Sequence, residues 1–139
     1  MNRFDFQRLS GLRLKEAEVL LNSGYFEGAY YLLGYVVECA LKACISKNTS
    51  AYDFPPKMAV ISAIYSHDLV KLLNASGIGV LHQEEIQRNP AFEKNWSTVK
   101  DWTEESRYST GIGEKRARDL HSAIVDINSG VLPWFTKLW

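Results

Sequence analysis

The run AYYLLGYVVECALKACI, positions 29–45, constrains the fold more than any other stretch. Its apolar residues fall on most sides of a helix, so a helix built from it must be surrounded, by lipid or by the rest of the protein. Glu38 and Lys42 decide between the two. Each charge near the centre of a membrane span costs about 2.5–3.5 kcal/mol on insertion scales. The two are spaced i,i+4 with the acid first, the favourable order for a helical ion pair. The run therefore predicts a buried central helix over about positions 25–47, and no membrane partner. Gly34 lies inside it although glycine costs about 1 kcal/mol relative to alanine in a helix. Close approach by another helix is the reading that gives this glycine a purpose.

The other segments supply the coat such a helix needs. Apolar residues recur at helical spacing almost throughout, and no segment alternates like a strand. A first helix is expected over about 4–22, with Leu9, Leu12, Ala17, Leu20 and Leu21 facing inward and Gly24 as the stop. The stretch NTSAYDFPP, 48–56, reads as a loop because of its prolines and small polar residues. A short helix follows, then SHDLVKLL, with Ser66 or a neighbour as cap and Leu69, Leu72 and Leu73 inside. SGIG, 76–79, is a turn, and helical pattern resumes over 83–87. Asn89 reads as a helix cap and Pro90 as the first helical residue. That helix should carry Phe92, Trp96, Val99 and Trp102 to the core. A last helix is expected from about Glu114, where Ala117, Leu120, Ile124, Ile127, Val131, Trp134 and Leu138 make one continuous stripe. Pro133 should kink this helix without ending it. The expected architecture is all-α: a single domain over 1–139, an up-and-down bundle of four to six helices.

Bulk properties bound the function. A chain of 139 residues buries roughly two-thirds of its unfolded surface and needs no disulfide or metal to fold. Sixteen basic and sixteen acidic residues cancel, so any nucleic-acid contact must come from a local patch. The first ten residues carry no apolar leader. Cys39 and Cys44 would point about 140° apart on a helix. They should not pair, and they read as reduced core residues of a cytoplasmic protein. No spacing of His, Cys and carboxylates suggests a metal site, and no cofactor is expected. TGIGEK lacks the full phosphate-loop pattern.

The chemistry-bearing stretch is RARDLH, 116–121. A metal-independent ribonuclease needs a base of near-neutral pKa for the 2′-hydroxyl proton, which suits His121. It also needs a fixed cation for the charge that builds on the phosphate, which suits Arg116. Five positions on a straight helix set these side chains about 140° apart, so Arg116 would have to reach around or a dimer partner would have to complete the site. Arg118, three residues before His121, shares its face more naturally. The competing reading is a solvated face, with Glu114 and Arg118 as an ordinary surface pair. Against it, Lys115, Arg116 and Arg118 crowd the positive end of a helix. Each is unfavourable there by about 0.3–1 kcal/mol unless an anion compensates. Free N–H groups at a helix start also favour phosphate. Arg107 could join this anion site, and Tyr108 could stack on a base or cap the core. His67–Asp68 reads as helix-start hydrogen bonding, His82 as surface, and Trp96, Trp102 and Trp134 as packing.

Three segments, GYFEGAYYLLGYVVECALKACI, SHDLVKLL and WTEESRY, in this order and at these separations, resemble the HEPN domain (higher eukaryotes and prokaryotes nucleotide-binding). The likeness runs from about Arg13 to the C-terminal VLPWF, and the pattern of Glu38, Leu41, Lys42 and Ala43 is its most specific part. The resemblance implies a helical bundle, usually a homodimer. Many members are ribonuclease toxins encoded beside a small nucleotidyltransferase antitoxin; others lack catalysis and bind nucleotides or proteins. The ribonuclease members carry Arg, four to six residues, then His near the start of a late helix, a pattern that Arg116 and His121 meet. The position after the arginine, usually small and polar, is Ala117, which also belongs to the apolar stripe. The expectation is thus an RNA-associated HEPN-type protein, a toxin ribonuclease or a non-catalytic module that binds a nucleotide or a protein.

Overall fold

A computed structural model describes residues 1–52 and 55–139, without the side chains at 50–52. Among the described residues all regular structure is helical. The helices are α1 (Arg3–Asn22), α2 (Phe26–Tyr52), α3 (Met58–Ile64), α4 (Leu69–Ala75), α5 (Gly79–Arg88), α6 (Pro90–Lys100), α7 (Glu114–Val125) and α8 (Val131–Thr136), with a 3-10 turn at Glu104–Tyr108 between α6 and α7. These eight α-helices exceed the four to six expected, because three of them are only six or seven residues long.

Helix α2 is the axis. Leu33, Val36, Val37, Ala40, Leu41 and Cys44 are completely buried along it. It has the length and composition to cross a membrane, but 72% of that apolar window is buried inside the protein. Helix α1 packs antiparallel to α2 through the tight turn at Gly24, whose φ of 82° suits glycine. The Ser10 hydroxyl, fully buried, donates to the Val36 carbonyl at 2.8 Å. The expected inner face of α1 is shifted. Ala17 and Leu21 are buried, whereas Leu12 is exposed because Ser10 takes the place facing α2. Helices α4, α7 and α8 and the 3-10 turn complete the coat around the axis, and α6 packs against α7.

Four further expectations are corrected. The loop expected from position 48 starts later, because α2 continues to Tyr52; Asp53 and Phe54 lie outside the described residues. Gly34 is approached by an indole and not by another helix. A Cβ there would sit 1.8 Å from Trp102 Cε2, and the Trp102 Nε1–H donates to the Tyr30 carbonyl at 3.1 Å.

The last helix is two helices. Asp126 leaves α7, and its carboxylate accepts from the backbone N–H groups of Asn128 and Ser129 at 2.8 and 3.0 Å. The Gly130 N–H closes the turn on the Asp126 carbonyl at 2.8 Å. The stripe is thereby interrupted, and Ile127 is 87% exposed.

His82 is core, not surface, at 3% exposure. Helix α5 begins at Gly79, earlier than expected, and turns His82 inward against Trp96, Phe92 and Trp134 at ring distances of 4.7, 5.4 and 5.5 Å. Burial pushes its pKa down to about 4. As expected from sequence, Asn89 caps α6 by accepting from the Phe92 N–H at 3.2 Å, with Pro90 next.

Candidate functional site

Helix α7 starts at Glu114 after Gly113, with no side-chain cap, and buries Ala117, Leu120, Ala123 and Ile124. That stripe fixes where the flanking polar side chains go. Arg116 leans over α2: its guanidinium lies 5.0 Å from the Tyr30 ring centre and donates to the Tyr30 hydroxyl at 3.5 Å. Arg118 sits 5.9 Å over the Phe26 ring, one turn earlier on α2. His121 faces α1, with Nε2 3.1 Å from a Glu18 carboxylate oxygen. Arg116 and His121 therefore engage different helices and share no partner among the described residues. This is the divergence that their five-residue spacing dictates.

The cationic first turn is partly compensated from within. Lys115 Nζ lies 2.5 Å from Asp119, and Arg118 Nε lies 2.8 Å from Glu114. Both are exposed i,i+4 pairs, worth about 0.3–0.5 kcal/mol each. The Glu114–Arg118 pair weighed from the sequence is thus present, and Lys115 finds a partner in Asp119 as well. Among the described residues, Arg116 and Arg107 have no carboxylate within ion-pair distance. Arg107 lies 4.8 Å over the Tyr108 ring, and hydrogen bonds to Tyr108 and then Tyr31 push its pKa further up. Tyr108 is 76% exposed, so it does not cap the core.

Beside Arg116 the surface opens into a cavity of about 230 Å³. Tyr30, Arg116, Asp101, Glu105, Ser106 and Ser109 line it. The Ser106 hydroxyl is buried and has no hydrogen-bond partner among the described residues. Sequence reasoning singled out Arg116 but not the other five. They come from three separate elements and carry no shared spacing.

A second polar cluster grows around the Glu38–Lys42 pair expected from sequence, by the unforeseen approach of His67 and Glu104. Glu38, 3% exposed, receives Lys42 Nζ at 2.8 Å and His67 Nδ1 at 3.0 Å. Glu104 of the 3-10 turn lies 3.6 Å from the same histidine nitrogen. The helix-start role expected of the His67–Asp68 pair belongs to Asp68 alone, which caps α4 by accepting from the Val70 and Lys71 N–H groups. Ser66 accepts from the Asp68 N–H instead of capping. The cluster ties α2 to the residues before α4 and to the 3-10 turn, holding Arg107 and Ser106 near α2. Among the described residues no group of three or more His, Cys, Asp or Glu side chains is placed to hold a metal ion.

Comparison with family models, with curated proteins and with solved structures finds no match for this chain.

Proposed function

We propose that this chain is a HEPN-type, RNA-associated protein that binds phosphate through Arg116 at the start of α7 and works as a homodimer. One observation carries the reading. Arg116, alone among the cations of α7, has no carboxylate partner among the described residues, lies over the Tyr30 ring, and borders a polar cavity. A guanidinium braced on an aromatic face keeps its donors in one plane, which suits a phosphate. Arg107, hydrogen-bonded to Tyr108 and to Tyr31 of α2, is a second cation without a carboxylate partner among the described residues. The neighbouring acids keep the protein neutral overall, so the attraction is local and short-ranged.

The ribonuclease reading is favoured by a different observation, the His121–Glu18 pair. A carboxylate that orients an imidazole suits a general base. Since Arg116 points elsewhere, the phosphate cation opposite His121 would come from the second copy. A nucleotidyltransferase antitoxin would be the partner of that toxin.

Fluorescence anisotropy with a short labelled RNA tests the proposal. Arg116→Ala should weaken binding about tenfold, the loss expected for one charge-assisted contact. Its stability should stay within about 0.5 kcal/mol, as for other surface changes. Unchanged binding by a folded Arg116→Ala would overturn the phosphate role. Incubation with RNA in EDTA separates the two activities: cleavage lost in His121→Ala supports the nuclease, and binding without cleavage in the wild type supports the binding module. Sedimentation as a monomer at micromolar concentration would remove the dimer.

A further inference from the structure

We infer that the cavity between the start of α1, the second half of α2 and the end of α3 binds a medium-chain monocarboxylate, its carboxylate on Lys42 and its chain against the apolar walls. This cavity shares no residue with the one beside Arg116, and the inference does not depend on the phosphate role given to that residue.

The cavity follows from how the short helix α3 is seated. It packs on α4 and barely touches α2, which leaves one face of α2 uncovered beyond Glu38. Lys42, Ile45 and Thr49 are spaced by three and then four residues, so they share that face. Phe6 reaches it from the start of α1, and Ile64 and Tyr65 close it from the end of α3. The volume is about 490 Å³. Pockets for small molecules run from about 300 to 1,000 Å³. Lys42 and Thr49, seven residues apart, lie about 10 Å apart along the axis, so the space is elongated.

Its walls and its end have different chemistry. Phe6, Ile45, Ile64 and Tyr65 present apolar surface. Lys42 is the cation of the lining, and its side chain is only 15% exposed. An ammonium carries three N–H donors. Among the described residues only the Glu38 carboxylate accepts from it, at 2.8 Å. Two donors are left with little access to water. Glu38 stays outside the lining and is shared with His67 Nδ1, 3.0 Å away.

An oxygen acceptor entering along the cavity would satisfy those donors. A carboxylate does so best, because charge-assisted hydrogen bonds are about twice as strong as neutral ones. No carboxylate lines the cavity among the described residues to repel it. A phosphate fits poorly, since one ammonium cannot serve all its oxygens and the apolar walls would desolvate the rest. A cationic head would meet Lys42 and be repelled.

Octanoate, octan-1-ol and octylammonium share one chain and differ in the head, so calorimetry with the three tests the inference. The wild type should bind octanoate about tenfold more tightly than octan-1-ol, the value of one hydrogen bond between charged partners, and should not bind octylammonium. Nuclear Overhauser contacts from octanoate to the Ile45 and Ile64 methyls locate it in the wild type without any substitution. Glu38→Gln/Lys42→Met should erase the preference for octanoate and keep the binding of octan-1-ol. Tyr65→Ala changes a residue that is exposed on the surface, so the fold persists, and it should weaken octanoate and octan-1-ol alike. Equal binding of octanoate and octan-1-ol by the wild type overturns the role of Lys42. Failure of all three to bind at millimolar concentration overturns the site. So does octanoate that binds without contact to either isoleucine, or that is indifferent to Tyr65→Ala.

Discussion

Replacing Gly34 with Ala sets two effects of opposite sign against each other. Helix propensity favours the change by about 1 kcal/mol. Against it stands the Trp102 indole. A Cβ at position 34 would lie 1.8, 2.0 and 2.3 Å from three of its atoms. Non-bonded carbons rest at about 3.5–4.0 Å, so the ring must withdraw by about 2 Å. Trp102 is 2% exposed and packed edge-on against Tyr35 at 5.4 Å, so it cannot withdraw alone. Overpacking of this kind costs about 1–3 kcal/mol. Withdrawal also parts the Trp102 Nε1–H from the Tyr30 carbonyl, and a buried donor left unpaired costs about 1–3 kcal/mol more. Packing outweighs propensity, and Gly34→Ala should lose about 3 kcal/mol of stability. Urea unfolding followed by far-ultraviolet circular dichroism measures it. In a Trp102→Ala background the same change should turn neutral or stabilising by up to about 1 kcal/mol, since only propensity remains. A single variant as stable as the wild type would refute the reasoning. So would an equal loss in both backgrounds, which would place the cost outside the glycine–indole contact.

Two other positions give independent checks. His82 is buried with Nε2 unpartnered among the described residues, and its pKa is pushed down to about 4 from an ordinary 6.5. The unfolded chain takes the proton first, so His82 costs nothing above about pH 6.5 and up to about 3 kcal/mol as pH falls towards 4. His82→Leu should flatten the stability profile across that window, and denaturation curves that stay parallel to the wild type would contradict this. Lys42→Met strips the buried Glu38 of one counter-charge and should cost about 3 kcal/mol, with much of it recovered in Glu38→Gln/Lys42→Met. A near-zero effect of Lys42→Met in chemical denaturation would show that His67 alone sustains the carboxylate.

The sequence by itself determined the all-helical class, the burial of α2, the Glu38–Lys42 pair and the start of α6 at Asn89–Pro90. Each rests on contacts within about one helical turn, which spacing encodes directly. It also placed Arg116, Arg118 and His121 on the flanks of α7, because Ala117 and Leu120 claim the buried stripe. The break after α7 was legible in DINSG, but the 3–4 stepping of apolar residues ran across it, and local turn chemistry at Asp126 prevailed.

Tertiary structure decided everything that depends on residues far apart in the chain. It set the Trp102 indole against Gly34 and turned His82 inward. It brought His67 and Glu104 to Glu38, laid Arg116 on Tyr30, and gathered Asp101, Glu105 and Ser106 around one cavity. None of these pairs has a fixed separation along the chain. Their meeting follows from how helices pack around α2, and side-chain spacing carries no information about that.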